Sequence, residues 1–278
     1  MIALLLALGS SLAYGCADFL GGLGARKAHV LRTVMIAAPA SLVVELLLWP
    51  FLGASFGAGA LGWGAASGVA SAAAFALLYR TLAIGPMNVL SPVTALVSAM
   101  LPVGVGLLQG ERLGAAGLVG LPLALAAVVL VSAGHGPGAV RPSRTAMLSA
   151  LGAGAAIALQ LVFLHQAPSD SGVAPLIIGR AVSSAVTLGA AALMFRRLGS
   201  ERPAYAMSAA AGVLDSVANL LFLLAARSGD LAVVAVITAL YPAATVLLAR
   251  GVLAERIHRG QLVGLGTAAA AVGLLALT

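Results

Sequence analysis

The chain has 278 residues, of which 62% are hydrophobic and only 8% charged, with a formal net charge of +7. An ordinary water-soluble domain carries roughly 25% charged residues, so a soluble core is excluded and a bilayer is implied as the solvent. Within a bilayer the backbone must satisfy its own hydrogen bonds, which leaves helices or a closed barrel; long apolar runs without alternation select helices.

A membrane span needs about 20 predominantly apolar residues. Ten such runs follow in chain order: 2–24, 31–52, 60–82, 87–108, 113–133, 145–166, 173–195, 204–226, 231–250 and 259–277. The first run lacks a charged leading segment and is too long to be the apolar part of a signal peptide, so it is read as a helix. The connectors are too short for a soluble domain. The longest polar one, 135–144, contains Gly-Pro-Gly and Arg-Pro and divides the chain into residues 1–134 and 145–278. Pro92, Pro102 and Pro242 are expected to break or bend the fourth and ninth helices. The expected fold is an all-α integral membrane protein of ten helices.

The two halves repeat one another at a constant offset of 144 residues. Gly68-Val69 falls on Gly212-Val213, Gly85 on Gly229, and Thr94-Ala95-Leu96 on Thr238-Ala239-Leu240. Glu111-Arg112 falls on Glu255-Arg256, and Leu118 to Leu121 on Leu262 to Leu265. Each unit has five helices, an odd number, so the second copy enters the membrane in the opposite direction. That is the inverted repeat common among secondary transporters.

Basic residues fix orientation, because cytoplasmic loops carry the excess of Lys and Arg. Connectors after odd-numbered helices hold Arg26, Lys27, Arg32, Arg80, Arg141, Arg144, Arg196, Arg197, Arg202, Arg250, Arg256 and Arg259, whereas those after even-numbered helices hold Arg112 and Arg227. Both termini are therefore predicted outside the cytoplasm. The basic residues stand singly or in pairs with no interleaved aromatics, so no nucleic-acid partner is expected. Arginine outnumbers lysine fourteen to one, which points to a GC-rich bacterial gene and a cytoplasmic membrane. Cys16 is the single cysteine, which excludes an intrachain disulfide and a thiolate metal cluster.

Ala239-Leu240-Tyr241-Pro242, Leu253-Ala254-Glu255-Arg256-Ile257, Gln261, Gly264 and Ala271-Val272-Gly273 form the closing stretch of the second half. The first half has Ser91-Pro92, Gly110-Glu111-Arg112-Leu113 and Gly117 to Gly120, and it opens with Ala13-Tyr14-Gly15-Cys16-Ala17-Asp18-Phe19. These stretches resemble the EamA-type repeat of the drug/metabolite transporter superfamily, present twice. The resemblance implies a ten-helix carrier with a central cavity, usually an exporter of metabolites, amino acids or toxic compounds, and it says little about substrate. Many relatives are thought to keep their termini in the cytoplasm, and the charge count of this chain departs from that pattern.

Ionisable residues inside a bilayer cost at least ~2.5 kcal/mol each at its centre, so those present mark cavities, pairs or pathways. Four stand within spans: Asp18, Glu45, Arg180 and Asp215. Asp215 has Asn219 one turn on, and such a face suits a cationic or hydrogen-bonding ligand, or a carboxylate that alternates between proton and substrate. A buried pair with Arg180 is the competing reading. Asp18 shares a face with Tyr14; its placement is similar to the first-helix carboxylate of small multidrug carriers in the same superfamily, and pairing with Arg26 or Lys27 is its alternative. Arg180 suits either a substrate carboxylate or a neutralising partner. Glu45, one turn from Trp49, is expected near the outer interface. Gln160, Ser91, Thr94, Ser98, Thr238 and Tyr241 are candidate cavity-lining groups, with helix-to-helix bonding as the competing role. Thr94 and Thr238 are equivalent by the repeat and are expected near its axis. Glu111-Arg112 and Glu255-Arg256 read as caps at helix junctions. Gly9, Ala13, Ala17 and Gly21, and the pairs Gly64–Gly68 and Gly260–Gly264, read as close-packing faces.

The leading function is secondary active transport, exporting a small metabolite or amphiphilic drug by alternating access, with protons as a candidate coupling species. Uptake is one alternative. A lipid-modifying intramembrane enzyme is another, against which stands the lack of a His-x-x-x-His or paired-Asp motif. No catalytic residue, metal or cofactor is expected. The partners expected are a small-molecule substrate and membrane lipid, and a monomer suffices because the duplicated chain contains both halves.

Overall fold

The computed structural model of the protein describes residues 1–84, 87–132, 143–194, 198–199, 201–253, 259–275 and 277. It is all-helical apart from one isolated bridge, Ala54 with Gly172. The helices are α1 (Ile2–Ala25), α2 (Val30–Leu52), α3 (Ala58–Ile84), α4 (Met87–Leu108), α5 (Ala115–Ser132), α6 (Arg144–Gln166), α7 (Ala174–Leu193), α8 (Tyr205–Ala226), α9 (Leu231–Thr238), α10 (Tyr241–Leu253) and α11 (Arg259–Leu275). Six of these, α1, α2, α3, α6, α7 and α8, are long and apolar enough to cross a membrane. The helical segments fall into ten spans, because α9 and α10 are the two halves of the ninth.

The break in the ninth span follows from Pro242. Proline has no N–H, so the carbonyl of Thr238, four residues back, loses its helical donor. The chain turns at Ala239-Leu240, with the Leu240 N–H reaching the Ile237 carbonyl at 3.1 Å, and a new helix starts at Tyr241. Pro242 then sits in the first turn of α10, where a missing N–H costs nothing. The fourth span behaves differently from the expectation: α4 runs unbroken through Pro92 and Pro102. The missing N–H of Pro92 would have reached only residue 88, in the first turn.

Large apolar side chains point outward, among them Leu5, Leu47, Phe51, Leu61, Val69 and Leu118, whereas the buried positions are rich in Ala, Ser and Gly. Lipid is as apolar as leucine, so close packing of small residues holds such helices together. Gly68 and Gly212 show this most directly. A Cβ on Gly68 would stand 2.4 Å from the Gly179 carbonyl oxygen, and one on Gly212 would stand 2.0 Å from that of Ala37. These two glycines bring α3 onto α7 and α8 onto α2.

The principal packing pairs are α1 with α8 and α3 with α6; α2 with α8 and α3 with α7; α4 with α6, and α9 and α10 with α1; and α5 with α11. Every residue of α9 is buried, so this half-helix runs through the interior, and its broken end opens on the site described next. The Gly-Pro-Gly stretch of the 135–144 connector, together with Gly85, Arg141, Arg196, Arg197, Glu255, Arg256 and His258, lies outside the described residues.

One capping expectation changes its target. Glu111 does not serve the helix that follows it. Its carboxylate accepts the backbone N–H groups of Leu231, at 2.6 Å, and Ala232, at 2.9 Å, and so caps the N-terminus of α9. Four N–H groups at a helix start lack internal partners, and a carboxylate satisfies two of them. On the same face, Arg227 at the end of α8 donates to the Gly172 carbonyl at 2.9 Å and the Pro168 carbonyl at 3.1 Å. Arg227 thus ties the α6–α7 loop to the end of α8, and the loop is separately bridged to the 53–55 segment.

Candidate functional site: a buried polar cavity

Four helices bring one continuous polar chain into the interior. Gln160 on α6 donates from Nε2 to the Asn219 Oδ1 on α8 at 2.6 Å. Asn219 donates from Nδ2 to the Asp215 backbone carbonyl at 2.8 Å and to its carboxylate at 3.2 Å. The same carboxylate forms an ion pair with Arg180 on α7. Arg180 also donates from Nη1 to the Ser71 hydroxyl on α3 at 2.8 Å, and its guanidinium carbon lies 5.4 Å from the centre of the Phe75 ring. Arg180 is 3% exposed and Asp215 7%, so both charges are inside the protein and each depends on the other.

Glu45 corrects the sequence reading. It is fully buried, not interfacial, and its Oε1 accepts a hydrogen bond from Ser216 of α8 at 2.6 Å, while Oε2 has no partner among the described residues. Its helix, α2, packs on α8 one residue along from Asp215, so a second carboxylate stands behind the ion pair. Sequence spacing suggested proximity to Trp49; the buried neighbour, Ser216, is far away in the chain.

Asp18 is also buried, at 7% exposure, and Arg26 and Lys27 are exposed, so the pairing considered for it does not form. Among the described residues it has no ion pair and no hydrogen-bond donor. It lines a cavity together with Tyr14, Ser71, Phe75, Ser98, Gln160, Asp215, Thr238 and Tyr241. Tyr14 and Tyr241 face one another with ring centres 6.5 Å apart. The hydroxyls of Tyr14, Thr238 and Tyr241 are buried and have no hydrogen-bond partner among the described residues. Such orphaned groups carry a desolvation cost and call for an explanation in a native interior.

Of the sequence candidates, the structure therefore gathers Asp18, Tyr14, Ser98, Gln160, Asp215, Thr238 and Tyr241 around one cavity. Asn219 and Arg180 are joined to it through Asp215. Thr94 stands apart: its hydroxyl bonds the Leu90 carbonyl at 3.1 Å and the Ala150 carbonyl of α6 at 3.3 Å, which is a helix-packing role. Sequence equivalence of Thr94 and Thr238 does not extend to equal surroundings. Ser71 and Phe75 are lining residues that sequence reasoning passed over, although the repeat had set them opposite Asp215 and Asn219. The cavity measures about 30 Å³, room for one or two water molecules. Among the described residues no group of three or more His, Cys, Asp and Glu side chains converges as metal ligands would.

A chain of ten helical spans around a buried, charged cavity is a multi-pass membrane protein. Its second half, residues 144–277, matches the sequence profile of the EamA-like transporter family. That match suggests a membrane transporter of the drug/metabolite superfamily. No curated protein sequence matches the chain. One chain of known crystal structure superposes on it with a TM-score of 0.76 at 15% identity, over 99% of this chain and 96% of the other. At that identity the likeness shows the fold alone.

Proposed function

We propose that the protein is a secondary active transporter that moves a small metabolite or amphiphilic drug, most often outward, across a bacterial cytoplasmic membrane by alternating access around this cavity. The carrying observation is the ion pair of Arg180 and Asp215, buried where helices of both halves meet and bonded onward to Ser71. Groups that cost this much to bury are kept where a pathway uses them.

We read residues 1–134 and 145–278 as two inverted five-helix repeats joined by the 135–144 connector. Helix packing supports this reading. Shifting each helix by 144 residues exchanges α1 with α6, α2 with α7, α3 with α8, and α4 with α9 and α10. The pair α1 with α8 becomes α6 with α3, and α2 with α8 becomes α7 with α3. The pair α4 with α6 becomes α9 and α10 with α1, and α5 with α11 maps onto itself. Rocking of two such units about their shared interface opens the cavity to one side at a time.

The coupling we favour is proton exchange at Asp215, which alternates between Arg180 and a proton as the helices move. Replacing Asp215 with Asn then abolishes the pH dependence of transport; flux and pH dependence both intact in that variant remove Asp215 from the coupling role. The transport reading itself is tested in proteoliposomes with a panel of labelled amino acids, amines and nucleosides. Saturable flux driven by an imposed gradient is expected. Turnover of labelled lipid without solute flux would establish an intramembrane enzyme in its place.

A further inference from the structure

Arg180 neutralises Asp215, and Glu45 is held by Ser216, but Asp18 faces the cavity with no positive partner among the described residues. Around the same cavity stand three oxygen-bearing side chains with no hydrogen-bond partner among the described residues: Tyr14, Thr238 and Tyr241. Thr238 and Tyr241 are only 3% and 4% exposed, so bulk water does not satisfy them. Thr238, Ala239 and Tyr241 at the break between α9 and α10 line the cavity, and there the Thr238 carbonyl has Pro242 where its helical donor would be. One carboxylate, three hydroxyls and a freed carbonyl at a broken helix are hard oxygen ligands for a cation with low charge, the pattern by which unwound transporter helices hold alkali ions. The cavity, about 30 Å³, has room for one or two water-sized groups, such as an ion or an ammonium head.

We propose that Asp18, Tyr14, Thr238 and Tyr241 form a binding site for a small monovalent cation. Sodium and the ammonium head of an amine share this chemistry. The site rests on the reading of the cavity as a transport site; Asp215 lines the same cavity, but the carboxylate of this site is Asp18.

The test is binding without a gradient, on the purified full-length protein in detergent. Thermal unfolding is followed in NaCl, methylammonium chloride and choline chloride at equal ionic strength and pH. The expected result is a saturable rise in Tm of about 3 °C at ten times the half-saturating concentration of the bound cation. Choline, too large for the cavity, gives no rise. A response to sodium alone assigns a metal ion, and a response to methylammonium alone assigns a substrate's amine. Asp18→Asn abolishes the response, and Asp170→Asn, on an exposed loop, keeps it. Should Asp18→Asn fail to fold, the pair Thr238→Val with Tyr241→Phe raises the half-saturating concentration about tenfold, since each lost oxygen weakens coordination. Equal Tm in all three salts overturns the proposal, as does a full response in Asp18→Asn or unchanged affinity in the double variant. Cation binding without solute flux would remove the transport reading and leave this site standing.

Discussion

Ser71 and Asp215, at matching positions 144 residues apart, grip the same guanidinium, that of Arg180. The next matching pair, Phe75 and Asn219, also meets this cluster: Phe75 lies against Arg180, and Asn219 bonds Asp215. The repeat thus builds one asymmetric centre from equivalent positions, with the charge on one side and a hydroxyl on the other. Removing one member of a buried ion pair is costly because the other charge is left alone. Arg180→Met is expected to destabilise the protein by about 3–5 kcal/mol, and combining it with Asp215→Asn recovers most of that loss. Thermal unfolding of the two single variants and the double variant measures this. Equal losses that simply add would contradict the pairing.

The orphaned hydroxyls separate packing from function. An unpaired buried hydroxyl does not stabilise the fold, so Tyr14→Phe, Tyr241→Phe and Thr238→Val are each expected to change stability by under about 1 kcal/mol. Transport is expected to fall at least tenfold in one or more of them. Thr94→Val does the reverse: it removes a bond to the Ala150 carbonyl and lowers stability by about 0.6 kcal/mol with transport intact. Parallel measurements of Tm and flux on these four variants decide the matter.

Gly68 and Gly212 carry equal weight in the two halves. Leucine at either position meets a backbone carbonyl that cannot move aside as a flexible side chain would. Gly68→Leu and Gly212→Leu are each expected to force helices apart and abolish a monodisperse peak on size-exclusion chromatography. Gly62→Leu, where a Cβ meets nothing within 4 Å, is the control and is expected to elute normally.

Glu111 holds the start of α9, and through it the broken end that faces the cavity. Glu111→Ala loses two charge-assisted hydrogen bonds, each worth about 1.5–3 kcal/mol. Hydrogen exchange is expected to rise at Leu231 and Ala232 before it rises in α8. Unchanged protection there would show that the cap is dispensable.

The positions of the helices were legible from sequence because a bilayer imposes a minimum apolar length, and the observed ends fall within about three residues of the runs. Buried charge was equally visible, since Asp18, Arg180 and Asp215 stand out in an apolar background. What sequence could not supply was partnership across helices. Glu45 looked interfacial beside Trp49, but its neighbour Ser216 comes from α8. Glu111 looked like the cap of the next helix and serves one 120 residues on. Pro242 announced a break, whereas Pro92 and Pro102 looked the same on paper and left α4 intact. Ser71 and Phe75 gave no chemical signal of their own, and only their register with Asp215 and Asn219 could have singled them out.

The Lys and Arg distribution predicts both termini outside the cytoplasm. A periplasm-active reporter fused after Thr278 is expected to be active, and a cytoplasm-active one silent. The opposite pattern would reverse the orientation of the whole bundle and leave the cavity unchanged.

Alternating access is tested most directly at Ser98, a cavity-lining residue that is 3% exposed. Cys16 is the single native cysteine, so Ser98→Cys in a Cys16→Ser background carries one thiol. In oriented vesicles, a membrane-impermeant thiol reagent is expected to label position 98 when added to either side, in separate experiments, with labelling slowed by transported solute. Labelling from one side only, however long the exposure, would contradict a cavity that opens to both.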